Sequence, residues 1–129
     1  MIEIAEEDAT RPALIEHVSI AFVVERVMEV SRANDGAIAL IEREIAVPYQ
    51  KDCDAIPGNL PSQWAQQFDL RNRGLMTARA NGQLVGTVLV AFDTAGPDML
   101  DGRDDLAVIW DIRVAPEHRA RGIGTRLMR

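Results

Sequence analysis

Apolar and polar residues alternate along the first part of the chain in ways that predict short elements. Residues 2–4 read apolar, acidic, apolar, which is the period of two typical of a strand. Residues 8–17 then predict a short helix, because a polar start is followed by proline, and Thr10 is the expected N-cap. The chain is therefore expected to open with a strand and a helix.

Residues 20–31 fit both a helical period and a strand period. Their many valines favour a strand, because a branched Cβ packs well on a pleated surface and loses rotamers in a helix. The turn signal at residues 34–36 follows, and residues 37–47 form a second apolar run that Pro48 is expected to end. The sequence therefore predicts a long hairpin.

Two loops are predicted from composition in the middle of the chain. Asp, Pro, Gly and Asn dominate residues 52–61, and Ser62 is then the expected cap of a short helix that ends at Phe68. Residues 96–98 and the acidic run 101–105 predict the second loop. Neither loop carries a repeat or a low-complexity tract.

The remaining elements complete the predicted fold. Two apolar runs within residues 75–92 flank the pair Asn81-Gly82, which is typical of a tight hairpin turn. Residues 106–114 are almost continuously apolar, as in a strand covered on both faces. A helix is predicted from Gly122 onward, since apolar residues recur four apart. Together these elements predict an α+β fold with a mixed, mostly antiparallel sheet flanked by helices.

Composition limits the class of protein. The chain has 129 residues, 47% apolar and 26% charged, which fits a single folded domain over residues 1–129. No apolar run approaches the roughly 18 residues that span a bilayer, and the N-terminus is acidic where a signal peptide is basic. Cys53 has no second thiol for a disulfide or a metal site. We therefore expect a cytoplasmic protein with no membrane segment and no metal.

The formal net charge of −6 argues against a nucleic-acid partner, because phosphate neutralisation needs clustered Lys and Arg. An acidic balance suits ordinary solubility, and it also suits a cationic substrate such as an amine. The same two explanations apply to the acidic loop, whose carboxylates are either solvated or recruit a cation. Those carboxylates are Asp101, Asp104 and Asp105.

The chemical signal lies in residues 111–127, where a strand runs into a basic, glycine-containing loop and a new helix. Glycine lets backbone N–H groups approach a ligand, and the first N–H groups of a helix lack internal partners, so this segment predicts an anion site. It is not a dinucleotide fingerprint, because Leu127 stands where glycine is required. It is not a P-loop either, since Gly124 is not followed by Lys. Positive potential is expected from Arg119, Arg121 and Arg126.

The pattern Arg119-x-x-Gly122-x-Gly124 follows a strand ending in Val-x-Pro and precedes an apolar helix. It resembles the acetyl-CoA motif Arg/Gln-x-x-Gly-x-Gly/Ala of the GNAT superfamily of N-acetyltransferases, and the match runs over residues 106–127. The end of the long hairpin at residues 47–52 and the Gln-Leu-Val-Gly strand beginning at residue 83 look like streptothricin-type acetyltransferases of this superfamily. Those enzymes acetylate an amine of an antibiotic.

The resemblance implies an enzyme that transfers the acetyl group of acetyl-CoA, its cosubstrate, to a primary amine of a small molecule. The amine attacks the thioester directly, without a covalent enzyme intermediate. By position, main-chain groups of Ile112 and Val114 would pair with the pantetheine arm, and the backbone at Ile112 would polarise the thioester carbonyl. The pyrophosphate would sit on backbone amides of Arg119, Ala120, Arg121, Gly122, Ile123, Gly124 and Thr125.

Asp111 is the only carboxylate within the strand, and two roles stay open for it. It is a candidate general base for the substrate ammonium, and it is also a candidate structural hydrogen-bonding residue. Because side chains alternate along a strand, we expect Asp111 to face away from Trp110 and Ile112. In the family the acidic residue often stands one place earlier, at the position of Trp110.

The family pattern continues past the loop through its helix, another strand, a further helix and a closing hairpin, which usually include a tyrosine that protonates the leaving thiolate. We therefore expect a domain that is incomplete at its C-terminus. Three explanations stay open: a shortened chain or gene product; a homodimer in which a second copy completes the fold; or a non-catalytic acyl-CoA-binding or dimerisation fragment. An apolar sheet edge left unpaired would invite pairing with another chain.

Overall fold

The computed structural model describes residues 1–69 and 71–129 and falls into two units. One unit comprises Met1–Ile20 and Cys53–Arg129, and the other comprises Ala21–Asp52. Strands and helices combine in the predicted α+β class.

The strands are β1 Ile2–Glu7, β2 Phe22–Arg32, β3 Ile38–Lys51, β4 Arg73–Ala80, β5 Gln83–Phe92 and β6 Ala107–Val114. The one α-helix of the described residues, α1, spans Ile123–Leu127. Short 3₁₀ helices lie at Pro12–His17, Cys53–Ala55, Pro61–Gln66, Asp98–Leu100 and Pro116–His118. The predicted order of strand, helix, hairpin, loop, hairpin, strand and helix is confirmed, although most of the helices are 3₁₀ turns.

The larger unit is built on an antiparallel sheet with the strand order β1-β4-β5-β6. Its hairpin between β4 and β5 turns at Asn81 and Gly82, whose φ angles of 50° and 81° are those a two-residue turn requires. One buried cluster gathers Ile123 and Leu127 of α1 with Val88 of β5. The second cluster gathers residues of the first and third 3₁₀ helices with two strand residues, and its buried members are Ile15, Trp64, Leu75 and Leu89.

Gly86 on β5 fixes how closely α1 approaches the sheet. A Cβ atom at this position would lie 3.2 Å from the side chains of both Ile123 and Leu127. Those two residues are 3% and 5% exposed, which confirms the predicted apolar spacing of the helix. Because side chains alternate, α1 covers the β5 face that carries Gly86, and the opposite face carries Thr87 and Leu89.

The smaller unit is the predicted long hairpin of β2 and β3, so the strand interpretation of residues 20–31 is confirmed. Four apolar side chains near its tip share one face and are 61–71% exposed. They are Met28, Val30, Ile38 and Leu40. Pro48 does not end the second strand as predicted, because β3 continues to Lys51. Pro48 falls between the paired residues Glu44 and Tyr49, where the register shifts and no partner needs its missing N–H.

Three local predictions are wrong. Thr10 does not cap the first 3₁₀ helix, because its hydroxyl donates to Asp8 Oδ1 and the helix begins at Pro12 without a side-chain cap. Ser62 lies inside the Pro61–Gln66 helix, where its N–H donates to Glu16 Oε1 at 2.7 Å. The strand predicted over residues 106–114 is not covered on both faces, because β6 lies at the sheet edge of the described residues and its apolar side chains are partly exposed.

We predict that Gly86→Ala lowers the free energy of unfolding by about 1–3 kcal/mol, because the new methyl group overpacks the contact between α1 and β5. Urea unfolding followed by circular dichroism measures the change. Gly74→Ala is the matched control, since a Cβ at this β4 position meets nothing within 4 Å. Equal midpoints for the two variants would contradict the close packing.

Candidate active site

A β-bulge shapes β6 at the centre of the candidate site. Asp111 pairs with Leu89 and Ile109 pairs with Val90, so Trp110 is an extra residue without a partner on β5. Its indole packs against the cluster that contains Leu89. Since directly opposed residues of an antiparallel pair share a face, Trp110 and Asp111 lie on the same side of the sheet. The prediction that they face opposite ways is wrong, because the bulge interrupts the alternation.

Ile112 lies on the opposite face from Asp111, as predicted. A Cβ built on Gly124 would lie 3.9 Å from Ile112 Cδ1, so the strand and the start of α1 meet here. This contact brings two parts of the predicted motif together, the strand and the glycine loop.

The main chain of β6 has one edge that no described strand pairs with. Ala115 N–H donates to Val85 O at 2.8 Å, which directs the main-chain groups of Ala115 towards β5. By alternation along the strand, the main-chain groups of Ile112 and Val114 point to the opposite, free edge. Val114 O accepts a hydrogen bond from Arg119 Nε at 2.8 Å. The Ile112 main-chain groups and the Val114 N–H therefore line this edge.

The loop between β6 and α1 carries two residues in the left-handed region. Ala120 has φ 59° and Gly122 has φ 78°, and Gly122 immediately precedes α1. Arg126 N–H donates to Gly122 O at 3.1 Å, which closes the first helical turn. The N–H groups of residues 123–125 lie in that first turn, and the N–H groups of a first turn have no acceptor inside the helix. The loop can therefore present several amides to one anion.

Two of the three arginines around this loop hold backbone oxygens. Arg119 donates through Nη2 to Ser19 O at 3.1 Å, in addition to its bond to Val114 O. Arg126 donates through Nη2 to Ile2 O at 2.7 Å. Arg121 is exposed on the loop. The predicted positive potential therefore comes from side chains that also fix where the loop lies.

Arg113 is a charged residue that the sequence analysis missed. Its side chain is 1% exposed and donates to both carboxylate oxygens of Asp54, at 2.6 and 2.9 Å, and of Asp111, at 2.9 and 3.1 Å. Nη1 also donates to Val18 O at 3.3 Å. Burial lowers the pKa of Arg113, but the hydrogen bonds that it donates to Asp54 and Asp111 outweigh burial and leave the pKa above its ordinary value.

The arrangement around Arg113 bears on the two roles considered for Asp111. Both carboxylate oxygens of Asp111 accept from Arg113, which is the geometry of the structural role. An aspartate and an arginine two residues apart inside a run that is otherwise apolar were the sequence signal that could have identified Arg113. Its partner Asp54 is 59 residues away, so no local spacing could have identified that pairing.

Aromatic side chains surround the bulge. The ring centroids of Trp64 and Trp110 lie 6.4 Å apart at an interplanar angle of 89°, and those of Phe68 and Trp110 lie 4.6 Å apart at 75°. Both contacts have the edge-to-face geometry that aromatic quadrupoles favour. Trp110 and Phe68 are only half-buried, so this aromatic group also faces solvent.

The acidic run predicted as a loop over residues 101–105 contains an ion pair of its own. Asp105 pairs with Arg103, which lowers the pKa of the carboxyl through a side-chain hydrogen bond.

Within residues 1–69 and 71–129, no three His, Cys, Asp or Glu side chains come together as metal ligands do. No helix in the described part of the chain is both long enough and apolar enough to cross a bilayer.

Comparison with known proteins gives a family and a fold. The model of the acetyltransferase (GNAT) family matches residues 41–129. A nourseothricin acetyltransferase structure is 25% identical with a TM-score of 0.66. The aligned region includes 98% of this chain and 62% of that chain. A protein described as a streptothricin acetyltransferase from Bacillus anthracis str. Ames, in complex with acetyl coenzyme A, is 18% identical with a TM-score of 0.62. The aligned region of that comparison includes 99% of this chain and 64% of the other chain.

This chain therefore spans less than two thirds of the length of both structures. At 18% identity, the second structure supports the fold alone. No curated protein matches the chain.

We predict that Asp54→Asn lowers the free energy of unfolding by about 1–3 kcal/mol, because it weakens a charge-assisted bidentate pair to a buried guanidinium. Asp111 still accepts from Arg113 in this variant, which limits the loss. The control is Asp105→Asn at the exposed pair with Arg103, which should leave the urea midpoint unchanged. Equal midpoints for both variants would show that the pair between Asp54 and Arg113 contributes nothing to stability.

Proposed function

The chain belongs to the acetyltransferase (GNAT) family, and from this membership we propose that it transfers the acetyl group of acetyl-CoA to a primary amine of a small molecule. The observation that carries the proposal is the contact between two features at one place. The start of α1 at Gly124, just after the amide-presenting loop, lies against the side chain of Ile112, whose main-chain groups line the free β6 edge. A pyrophosphate and an extended arm attached to it need just such neighbouring sites.

The residues present fit acetyl-CoA. Backbone amides of residues 120–125 would hold the pyrophosphate, supported by the left-handed Gly122 and by the first turn of α1. The Arg119 N–H, which the resemblance also implied, instead donates to Pro116 O at 3.3 Å. The main-chain groups of Ile112 and Val114 N–H would pair with the pantetheine arm in the manner of an added strand. When bound, acetyl-CoA supplies the activated thioester whose acetyl group is transferred.

Catalysis in this proposal comes mainly from positioning and from a main-chain donor. Ile112 N–H stabilises the negative charge that develops on the carbonyl oxygen during direct attack by the amine. Asp111 keeps its hydrogen bonds to Arg113 and thereby holds the strand that carries this N–H. We therefore propose a positioning role for Asp111, with general-base catalysis as the competing role.

The acceptor we propose is an amine of a streptothricin-like antibiotic. Support comes from the likeness to the nourseothricin acetyltransferase and from the net charge of −6, which favours a cationic small molecule over a nucleic acid. We also propose that residues 1–129 belong to one GNAT domain, since the family match at residues 41–129 includes parts of both units. A cytoplasmic location and a homodimer stay predictions, and the mass of the chain in solution tests the second.

We predict that acetyl-CoA binds the chain saturably in calorimetric titration and that Gly124→Asp weakens binding at least tenfold, because a carboxylate then faces the pyrophosphate. Circular dichroism should show an intact fold, since a Cβ at Gly124 meets only Ile112 Cδ1 at 3.9 Å. Gln66→Glu adds one negative charge at an exposed position and should bind like the parent chain. Unchanged affinity in Gly124→Asp would reject the loop assignment. Binding without release of thiol in the presence of nourseothricin would favour a non-catalytic acyl-CoA-binding protein.

We predict that Asp111→Asn keeps kcat for nourseothricin acetylation within about threefold of the parent and leaves the shape of its pH profile unchanged. The amide oxygen still accepts from Arg113, so the strand stays in position, while a lost general base would typically cost about 10²–10⁴-fold. Thiol release between pH 6 and 9 measures both quantities. A loss of two orders of magnitude at neutral pH would instead assign Asp111 as the base.

A further inference from the structure

Arg73 is a buried cation outside the ion pairs described above. It begins β4 and is 6% exposed. Its Nε donates to Asp69 O at 3.2 Å. Burial lowers the pKa of Arg73, and the charge of Asp69 opposes that shift. Such a group is costly to bury unless its charge meets a partner.

The partners of this charge are aromatic rings. The guanidinium carbon of Arg73 lies 4.6 Å from the centroid of Phe68 and 5.6 Å from that of Trp110, within the range of a cation–π contact. No described residue accepts a hydrogen bond from Nη1 or Nη2, although both atoms are buried. The ring faces therefore provide the main attraction at that end of the side chain.

Trp110 connects Arg73 to the proposed reaction. It is the bulged residue of β6 and stands two residues before Ile112, whose N–H is the proposed donor to the carbonyl oxygen. Two residues along a strand span roughly 7 Å, about the length of one large side chain. The indole is half-buried, so part of it faces solvent on the same strand that carries this N–H.

Three side chains contact this indole. Trp64 and Phe68 both meet it edge to face, at angles of 89° and 75°. Arg73 adds a cation. An apolar side chain at position 73 would fill space at a lower desolvation cost, but it would not attract the ring electrostatically. The presence of a cation at position 73 is therefore better explained by its effect on the orientation of the Trp110 indole than by a contribution to the free energy of unfolding.

We propose that Arg73 is a positioning residue that fixes the Trp110 indole as one wall of the acceptor-amine site. The proposal rests on the proposed acetyltransferase function. It assigns Arg73 an effect on the acceptor and none on the acetyl-CoA loop. A fixed, flat indole favours the apolar or ring portion of an acceptor and limits how the amine can approach.

The kinetic test replaces Arg73 with methionine, which keeps an unbranched apolar stem and removes the guanidinium charge. We expect Arg73→Met to raise KM for nourseothricin at least fivefold while kcat and KM for acetyl-CoA change less than twofold. Arg73→Lys retains a cation and should recover at least half of the loss. The matched control is Arg71→Met, since Arg71 also neighbours Asp69 but its side chain is 86% exposed.

A spectroscopic test does not depend on activity. The chain contains two tryptophans, so Trp64→Phe leaves Trp110 as the only indole. In that background Arg73→Met should at least double the acrylamide quenching constant of Trp110 fluorescence, and Arg73→Lys should change it less. These measurements are made well below the melting temperature of each variant.

The outcomes separate the two proposals. A lower melting temperature with unchanged KM and unchanged quenching would make Arg73 merely structural and overturn the inference. If the parent chain acetylates no amine, the proposed function fails, and the quenching result alone decides whether Arg73 holds Trp110. If Arg73→Met does not fold, Arg73→Gln takes its place as the variant without the charge, and quenching of Trp110 equal to that of the parent overturns the role.

Discussion

The buried guanidinium of Arg113 is the constraint around which the larger unit is organised. A cation with a side chain that is 1% exposed must be compensated, and here two carboxylates and one carbonyl do so. Those acceptors come from separate parts of the chain, namely Asp54, Asp111 and Val18. Their convergence fixes β6 relative to the first two 3₁₀ helices. The proposed site then lies on a strand whose position is set by charge as well as by packing.

The bulge at Trp110 lies on a strand whose two faces and main-chain groups have different roles. On one face, Trp110, Asp111 and Arg113 point into aromatic and ionic contacts that hold β6. On the other face Ile112 meets the start of α1 at Gly124, and the main chain stays open at the sheet edge. The side chains of this strand therefore hold it in place, while its main-chain groups remain available for a ligand.

The sequence predicted what is encoded locally. Gly122, which has the left-handed conformation, precedes a helix as predicted, because a short stretch of chain decides where a helix begins. The succession of strands along the chain followed from apolar runs and turn pairs. Thr10 failed as a cap because the helix begins at Pro12, which places Arg11 at the N-cap position, and the Thr10 hydroxyl donates to Asp8. The bulge at Trp110 depends on register against another strand. The pairing of Arg113 with Asp54 crosses 59 residues, and no periodicity reports such a contact.

A protein with a net negative charge can still bind a pyrophosphate when the hydrogen-bond donors of the site are uncharged backbone amides. The proposed donors are backbone amides ahead of and within the first turn of α1, and their partial charges act at contact distance. The net charge of −6 is spread over the whole chain, and ionic screening reduces its effect beyond about 10 Å. Arg119 and Arg126 are held in place because Arg119 donates to Val114 O at the end of β6 and Arg126 donates to Ile2 O on β1. Their main contribution is therefore to fix the geometry in which the amides converge, and their positive charge adds to a site that the backbone has already formed.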